Sequence, residues 1–234
     1  MQNFYKNKKI LITGSSGFVG SWLSTALYEM GASLYGISLK PNTSPSLFKL
    51  LNLENKINQK YIDICEFNKL DSAIKEICPD IVFHLAAQPL VRESYERTIE
   101  TFNTNVIGTL NVLESCKNLG TNINFICITT DKCYENNEFG ERFVESDPMG
   151  GKDPYSASKA CTEILTKSHA LSFNSLKLCT ARAGNIIGGG DWAKDRIVTD
   201  IVESIEHKRD IVLRSPNAIR PWQHVIDVVN GYLK

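Results

Sequence analysis

Lys9-Ile10-Leu11-Ile12-Thr13-Gly14-Ser15-Ser16-Gly17-Phe18-Val19-Gly20 is the stretch on which the fold turns. Residues 9–13 are a short apolar run of the kind that forms a buried strand. Behind the glycines, Val19, Trp22, Leu23, Ala26, Leu27 and Met30 recur at helical spacing, and Gly31 follows as a C-cap. Strand, glycine loop and helix in that order form a dinucleotide-binding context. The glycines let backbone approach a pyrophosphate, and the helix start offers free N–H groups and the positive end of its dipole. The spacing is Gly-x-x-Gly-x-x-Gly, which places Gly14, Ser16, Gly17, Phe18, Val19 and Gly20 around the phosphates.

Strands and helices alternate outward from this unit. Strands are expected at 33–39, 61–64, 81–85, 122–128 and 176–181, with helices at 70–77, 95–118 and 155–172. The alternation predicts an α/β fold, a Rossmann-like doubly wound parallel sheet with right-handed crossovers. Ligands of such sheets bind beyond the carboxyl ends of the strands. Ser38 then faces an adenosine ribose where a carboxylate is usual, and Lys40 stands beside it, so residue types alone leave NAD and NADP both open. Asp63 and Ile64 fall near the adenine, and Leu85, Ala86 and Ala87 follow the fourth strand, where small residues admit a cofactor. Residues 1–182 are expected to form the nucleotide-binding domain, and residues 183–234 part of a substrate-binding region. The latter holds a glycine-rich loop at 183–192 and a helix at 197–205. A charged loop at 135–153 is expected to border the pocket.

The chain has 234 residues, 42% of them hydrophobic, which suits one sizeable core. Lys plus Arg and Asp plus Glu are equal at 26 each. This balance argues against a nucleic-acid or membrane-surface partner. No apolar run is long enough to span a bilayer, and the first residues lack a signal-peptide core. The seven cysteines are scattered without a Cys-x-x-Cys, as reduced thiols in a cytoplasmic protein would be. The four histidines stand apart, and no metal site is expected.

Chemistry concentrates in two further stretches. In Gly151-Lys152-Asp153-Pro154-Tyr155-Ser156-Ala157-Ser158-Lys159, Pro154 suits the first turn of a helix. Tyr155 and Lys159 then share one helix face. A nearby ammonium lowers the pKa of a phenol, so the pair suits proton removal from an alcohol as hydride leaves its carbon. Thr130-Asp131-Lys132, at the end of the fifth strand, adds a hydroxyl, an acid and an amine.

Taken together, GSSGFVGSWL (14–23), HLAAQPLVRESY (84–95), TTDKCYEN (129–136), GGKDPYSASKACTE (150–163), ARAGNIIGGGDWAKDR (181–196) and RPWQHV (220–225) resemble the extended short-chain dehydrogenase/reductase family. Within it they resemble the sugar-nucleotide 4,6-dehydratases, the CDP-glucose group above all. That resemblance implies an NAD cofactor, CDP-glucose as substrate, and an internal-redox loss of water that gives a 4-keto-6-deoxy sugar for surface polysaccharide such as lipopolysaccharide. It implies that Tyr155 and Lys159 act at C4, that Thr130 bonds the C4 oxygen, that Asp131 protonates the leaving C6 hydroxyl, and that Lys132 serves C5. As base, Lys132 would need its ammonium destabilised; as electrostatic helper, it would not. Gln88, Arg92, Ser94, Asn185, Trp192, Arg196 and Arg220 are the substrate-binding candidates. The family continues beyond residue 234, which implies a longer substrate lobe. It also implies a homodimer or homotetramer through the helices at 95–118 and 154–172, with Val106, Leu110, Leu113, Ile164 and Leu165 facing outward. A same-fold epimerase or reductase would need Tyr155 and Lys159 but not Asp131 and Lys132, and a cofactor-binding protein without turnover is a third reading.

Overall fold

The structure is a computed structural model that describes residues 2–136, 140 and 142–234. Its helices run in chain order as α1 (Gln2–Tyr5), α2 (Phe18–Glu29), α3 (Leu47–Leu50), α4 (Phe67–Ile77), α5 (Val91–Glu96), α6 (Thr98–Phe102), α7 (Thr109–Lys117), α8 (Pro154–Ser172), α9 (Ile197–Glu206) and α10 (Val225–Tyr232). The strands are β1 (Lys9–Thr13), β2 (Ser33–Ser38), β3 (Asn58–Tyr61), β4 (Ile81–His84), β5 (Ile123–Thr130), β6 (Leu176–Ala183), β7 (Asn185–Ile187) and β8 (Trp222–His224). Among the described residues, β3-β2-β1-β4-β5-β6 form one sheet in that order, every pair parallel. The order reverses between β1 and β4, which opens a crevice at the carboxyl edge. A small parallel pair, β7 with β8, lies beyond it.

Both faces of the sheet are covered, so successive residues of a central strand enter different cores. Leu11 packs with Ile74, Val82, Val112, Leu113 and Phe125 on one side. Ile10 and Ile12 pack with Leu23, Leu27, Phe83 and Val229 on the other. Truncating a residue such as Leu23 to alanine costs roughly 2–5 kcal/mol in a core of this kind.

The structure shifts several expected boundaries. The third strand is Asn58–Tyr61, three residues before the apolar segment that suggested it. It is the polar edge of the sheet, and Ile64 buries into the core from the loop that follows. The helix expected at 95–118 is broken. Arg97 leaves helical geometry between α5 and α6 (φ −123°, ψ 51°), and residues Asn103–Gly108 form a π-helical turn before α7. Of the loop expected at 135–153, residues 137–139 and 141 lie outside the described residues.

Candidate active site

Outside the carboxyl ends of the strands lies a cavity of about 2150 Å³. Single small-molecule sites usually occupy about 300–1,000 Å³, so this volume has room for a dinucleotide and a second ligand. Its wall contains Gly14, Ser16, Gly17, Phe18, Val19, Gly20, Ser38, Asp63, Ile64, Leu85, Ala86, Ala87, Thr130, Lys132, Tyr155 and Lys159.

The glycine loop is built for close approach. Gly14 has φ +72°, and a Cβ there would stand 2.8 Å from the Ala86 nitrogen. A Cβ on Gly20 would stand 2.2 Å from the Gly14 oxygen, so this glycine lets α2 start against the loop. Gly17 caps α2 without a side-chain bond, which leaves the first N–H groups of the helix to a ligand. A Cβ on Gly17 would meet only the Gly14 oxygen, at 3.3 Å. An uncapped helix start, bare backbone and a long cavity together fit a dinucleotide pyrophosphate.

At the adenosine end, Ser38 is engaged by a residue the sequence did not point to. Gln59 Nε2 donates to Ser38 Oγ at 3.0 Å, and Ser15 Oγ donates to Gln59 Oε1 at 2.7 Å. Asp63 accepts from the Cys65 N–H at 2.9 Å, so it shapes its own turn while lining the cavity.

β5 runs through Thr129 and Thr130, and a short turn then presents Asp131 and Lys132. Thr130 Oγ1 donates to Asp131 Oδ1 at 3.0 Å. Lys132 Nζ lies 3.4 Å from Asn185 Oδ1 and 3.7 Å from Asp131 Oδ1. Helix α8 begins with Asp153 as N-cap, its carboxylate accepting from Ser156 N at 2.9 Å, and with Pro154 in the first turn. That start fixes Tyr155 and Lys159, both buried, on the cavity wall.

The electrostatics differ from the sequence expectation. Burial pushes the Tyr155 phenol up to about 12; a hydrogen bond with Thr130 and the Arg196 charge pull the other way without prevailing. Burial lowers the Lys159 pKa, and its ammonium donates to the Ile128 carbonyl at 3.1 Å. In the protein alone, desolvation therefore outweighs the downward pull expected of the lysine.

Arg92, Asn185, Trp192, Arg196 and Arg220 line the same cavity. Arg92 pairs with Asp195 at 2.8 Å and Arg196 with Asp191 at 2.6 Å. Gln88 and Ser94 do not line it. Gln88 Nε2 donates to Thr101 Oγ1 at 2.9 Å, and Ser94 Oγ accepts from Tyr155 N at 3.1 Å and donates to Val91 O at 2.6 Å. Both brace the wall from behind. Asp131 also falls outside the lining and is reached through Thr130 and Lys132. Among the described residues, no group of three or more His, Cys, Asp and Glu could hold a metal ion.

Three buried residues to which the sequence assigned no role join the two halves of the site. Asn105 accepts from Gln88 N at 2.8 Å, and its Nδ2 donates to Gln88 O at 3.1 Å and to Ser158 Oγ at 2.8 Å. His84 lies between Thr13 Oγ1 at 2.7 Å and Thr109 Oγ1 at 2.9 Å. Thr109 spends its proton on Asn105 O, so the neutral imidazole carries its proton on Nε2.

A model of the NAD dependent epimerase/dehydratase family matches residues 10–234. The chain is 47% identical over 240 residues to the CDP-glucose 4,6-dehydratase of Salmonella typhimurium, covering 99% of this chain and 67% of that protein. It is 31% identical to the human dTDP-D-glucose 4,6-dehydratase, over 97% of this chain and 65% of that one. Among solved structures, the UDP-glucose 4-epimerase of Thermotoga maritima superposes with a TM-score of 0.84 at 25% identity, over 96% of this chain and 72% of that chain. The chain spans about two thirds of the length of the curated relatives it matches.

Proposed function

The chain belongs to the NAD dependent epimerase/dehydratase family, and on that premise we propose that it serves as an NAD-dependent nucleotide-sugar 4,6-dehydratase, a lyase, with CDP-glucose as substrate. The observation that carries this reading is the short turn directly after Thr130, which brings Lys132 to the wall that Thr130, Tyr155 and Lys159 also line, with Asp131 bonded to Thr130 and 3.7 Å from Lys132 behind it. An alcohol oxidation needs only the second pair. A further acid and amine serve a step in which a carbon acid ionises and a hydroxyl leaves.

Residues 14–20 and the Ala86–Ala87 backbone would hold NAD, which when bound would supply reversible hydride chemistry and a positive charge of the sign that favours loss of the Tyr155 proton. Tyr155, as the phenolate that the Lys159 cation stabilises, takes the proton of the sugar C4 hydroxyl and becomes the phenol. Thr130 holds the C4 oxygen. Lys132 serves C5, where the 4-keto group has made the hydrogen acidic, and Asp131 protonates the departing C6 hydroxyl. Water leaves, and the product is a 4-keto-6-deoxy sugar with no net redox change. Arg92, Arg196 and Arg220 suit the diphosphate, and Trp192 suits a base or sugar face. Residues 1–182 then form the NAD-binding domain, which also carries the acid–base groups, and 183–234 form part of the substrate-binding region.

No described helix is long and apolar enough to cross a membrane. A cytoplasmic homodimer is the assembly proposed. Its support is the apolar surface on α5–α7 and α8, where Tyr95, Ile99, Ile107, Ile164 and Leu171 are exposed. Leu113, expected on that surface, is instead in the core, and Leu165 is partly buried against that core. The role proposed for that product is supply of surface polysaccharide, and the family resemblance is what supports it. The test is incubation with CDP-, dTDP- and UDP-glucose and detection of the loss of one water by mass spectrometry. Loss from CDP-glucose alone supports the reading, and loss from none contradicts it.

A further inference from the structure

Helix α8 carries a third polar residue on the face of Tyr155 and Lys159. Glu163 follows Lys159 by four residues and is 4% exposed. Its carboxylate is saturated. Oε1 accepts from Arg182 Nε at 3.0 Å and from the Thr129 hydroxyl. Oε2 accepts from Arg182 Nη2 at 2.9 Å and from Thr180 Oγ1 at 2.9 Å. Burial acts to raise this carboxyl, but the bonds from Arg182, Thr129 and Thr180 outweigh it and hold the pKa below the ordinary value.

Arg182 reaches further. Its Nη1 donates to Tyr134 Oη at 2.8 Å and to Glu145 O at 3.1 Å. The guanidinium lies 4.8 Å from the centre of the Tyr134 ring, and Tyr134 stacks on Phe143 at 4.6 Å with a 7° interplanar angle. One ion pair therefore grips Thr129, just before Thr130-Asp131-Lys132, and Tyr134, just after. The same pair is anchored on the helix that carries Tyr155. Neither Glu163 nor Arg182 lines the cavity.

Stability alone does not account for such a pair. Burying two charges is costly, and apolar replacements of similar size are often as stable or more so. What the fork supplies is fixed geometry. We propose that Glu163 and Arg182 are positioning residues, which hold the Thr130-Asp131-Lys132 turn in one frame with Tyr155 and Lys159. The two acid–base pairs can then act on neighbouring carbons of a single bound sugar. This rests on the dehydratase reading given above.

The test uses Glu163→Gln, the milder Thr180→Val, which leaves the ion pair in place, and the double variant Glu163→Leu/Arg182→Met. Amide hydrogen exchange is read at residues 129–134 and 155–163 against β1 and β4, and kcat and KM are measured for water loss. Glu163→Gln is expected to speed exchange at 129–134 by about tenfold or more. It is expected to lower kcat roughly 10–100-fold with KM within about threefold, as misplacement by about an ångström does. Thr180→Val should show the same pattern severalfold more weakly. The double variant should recover the parent melting temperature but not the parent kcat. A double variant that melts and turns over like the parent would overturn the proposal, as would unchanged exchange at 129–134 in Glu163→Gln and Thr180→Val. If the parent releases no water from any nucleotide-glucose, the dehydratase reading fails, and the exchange measurement still decides whether the pair holds the turn.

Discussion

Asn105 Nδ2 donates to Ser158 Oγ at 2.8 Å, which ties the π-helical turn after α6 to the helix that bears Tyr155 and Lys159. The same side chain holds Gln88 N and O, next to the Ala86–Ala87 backbone on the cofactor side. Removing it leaves three buried polar partners without it. Each unsatisfied buried group costs about 1–3 kcal/mol. Asn105→Ala should therefore lower unfolding free energy by roughly 2–4 kcal/mol in urea titrations, and a loss below about 1 kcal/mol would show that water replaces the bonds.

His84 makes the fold sensitive to acid. Burial pushes its pKa down to about 3, with the Lys159 charge acting in the same direction. In the unfolded chain a histidine titrates near 6.5. The unfolded state thus binds a proton that the native state refuses, so the stability is fully present above about 6.5 and is lost as pH falls toward 3. Between about pH 7.5 and 5 the loss from this residue is about 2 kcal/mol. His169, lowered by its own burial, adds to it. Denaturation at the two pH values should show the drop, and His84→Asn should remove most of it. An equal drop in the variant would assign it elsewhere.

Gly17 and Gly20 separate binding from folding. A Cβ on Gly20 would strike the Gly14 oxygen at 2.2 Å, whereas on Gly17 it meets that atom at 3.3 Å and otherwise faces the cavity. Gly17→Val should keep Tm within a few degrees and weaken NAD binding by about tenfold or more in calorimetry, since it covers the α2 start. Gly20→Val should lower Tm strongly. Full NAD affinity in Gly17→Val would place the pyrophosphate elsewhere.

In the proposed homodimer, the exposed apolar positions on α6 and α8 form the contact. Ile99 is 80% and Ile164 59% exposed. A charge introduced at either place should convert a dimer into a monomer in light scattering at micromolar concentration. A parent protein that is already monomeric would contradict the dimer.

The fold was legible because both its signals are local. Ile10–Thr13 followed by spaced glycines gave β1 and α2, and Tyr155 with Lys159 needed only helical spacing. Asn105, His84 and Glu163 were not legible, because a polar residue within an element reads as surface until its partners, distant in sequence, are seen. The π-helical turn was hidden for a related reason, since one wider turn barely disturbs apolar periodicity. Gln88 lies on the loop after β4 and Ser94 in α5, and which way each side chain turns depends on Thr101 and Val91. The expected lowering of the Tyr155 pKa failed because spacing reports proximity and says nothing of desolvation.

The most direct test of the account follows CDP-glucose in deuterated water with the parent, Asp131→Asn, Lys132→Met and Tyr155→Phe, reading water loss and deuterium at C5 by mass spectrometry. The parent should lose water and gain deuterium at C5. Asp131→Asn should still exchange C5 while water loss falls about 10²–10⁴-fold, the usual cost of a missing general acid. Lys132→Met should lose the exchange if the lysine takes the C5 proton and keep it if the lysine only stabilises charge, with water loss slowed either way. Tyr155→Phe should show neither event. Water loss at the parent rate in both Asp131→Asn and Lys132→Met would contradict the assignment of these two residues to the elimination.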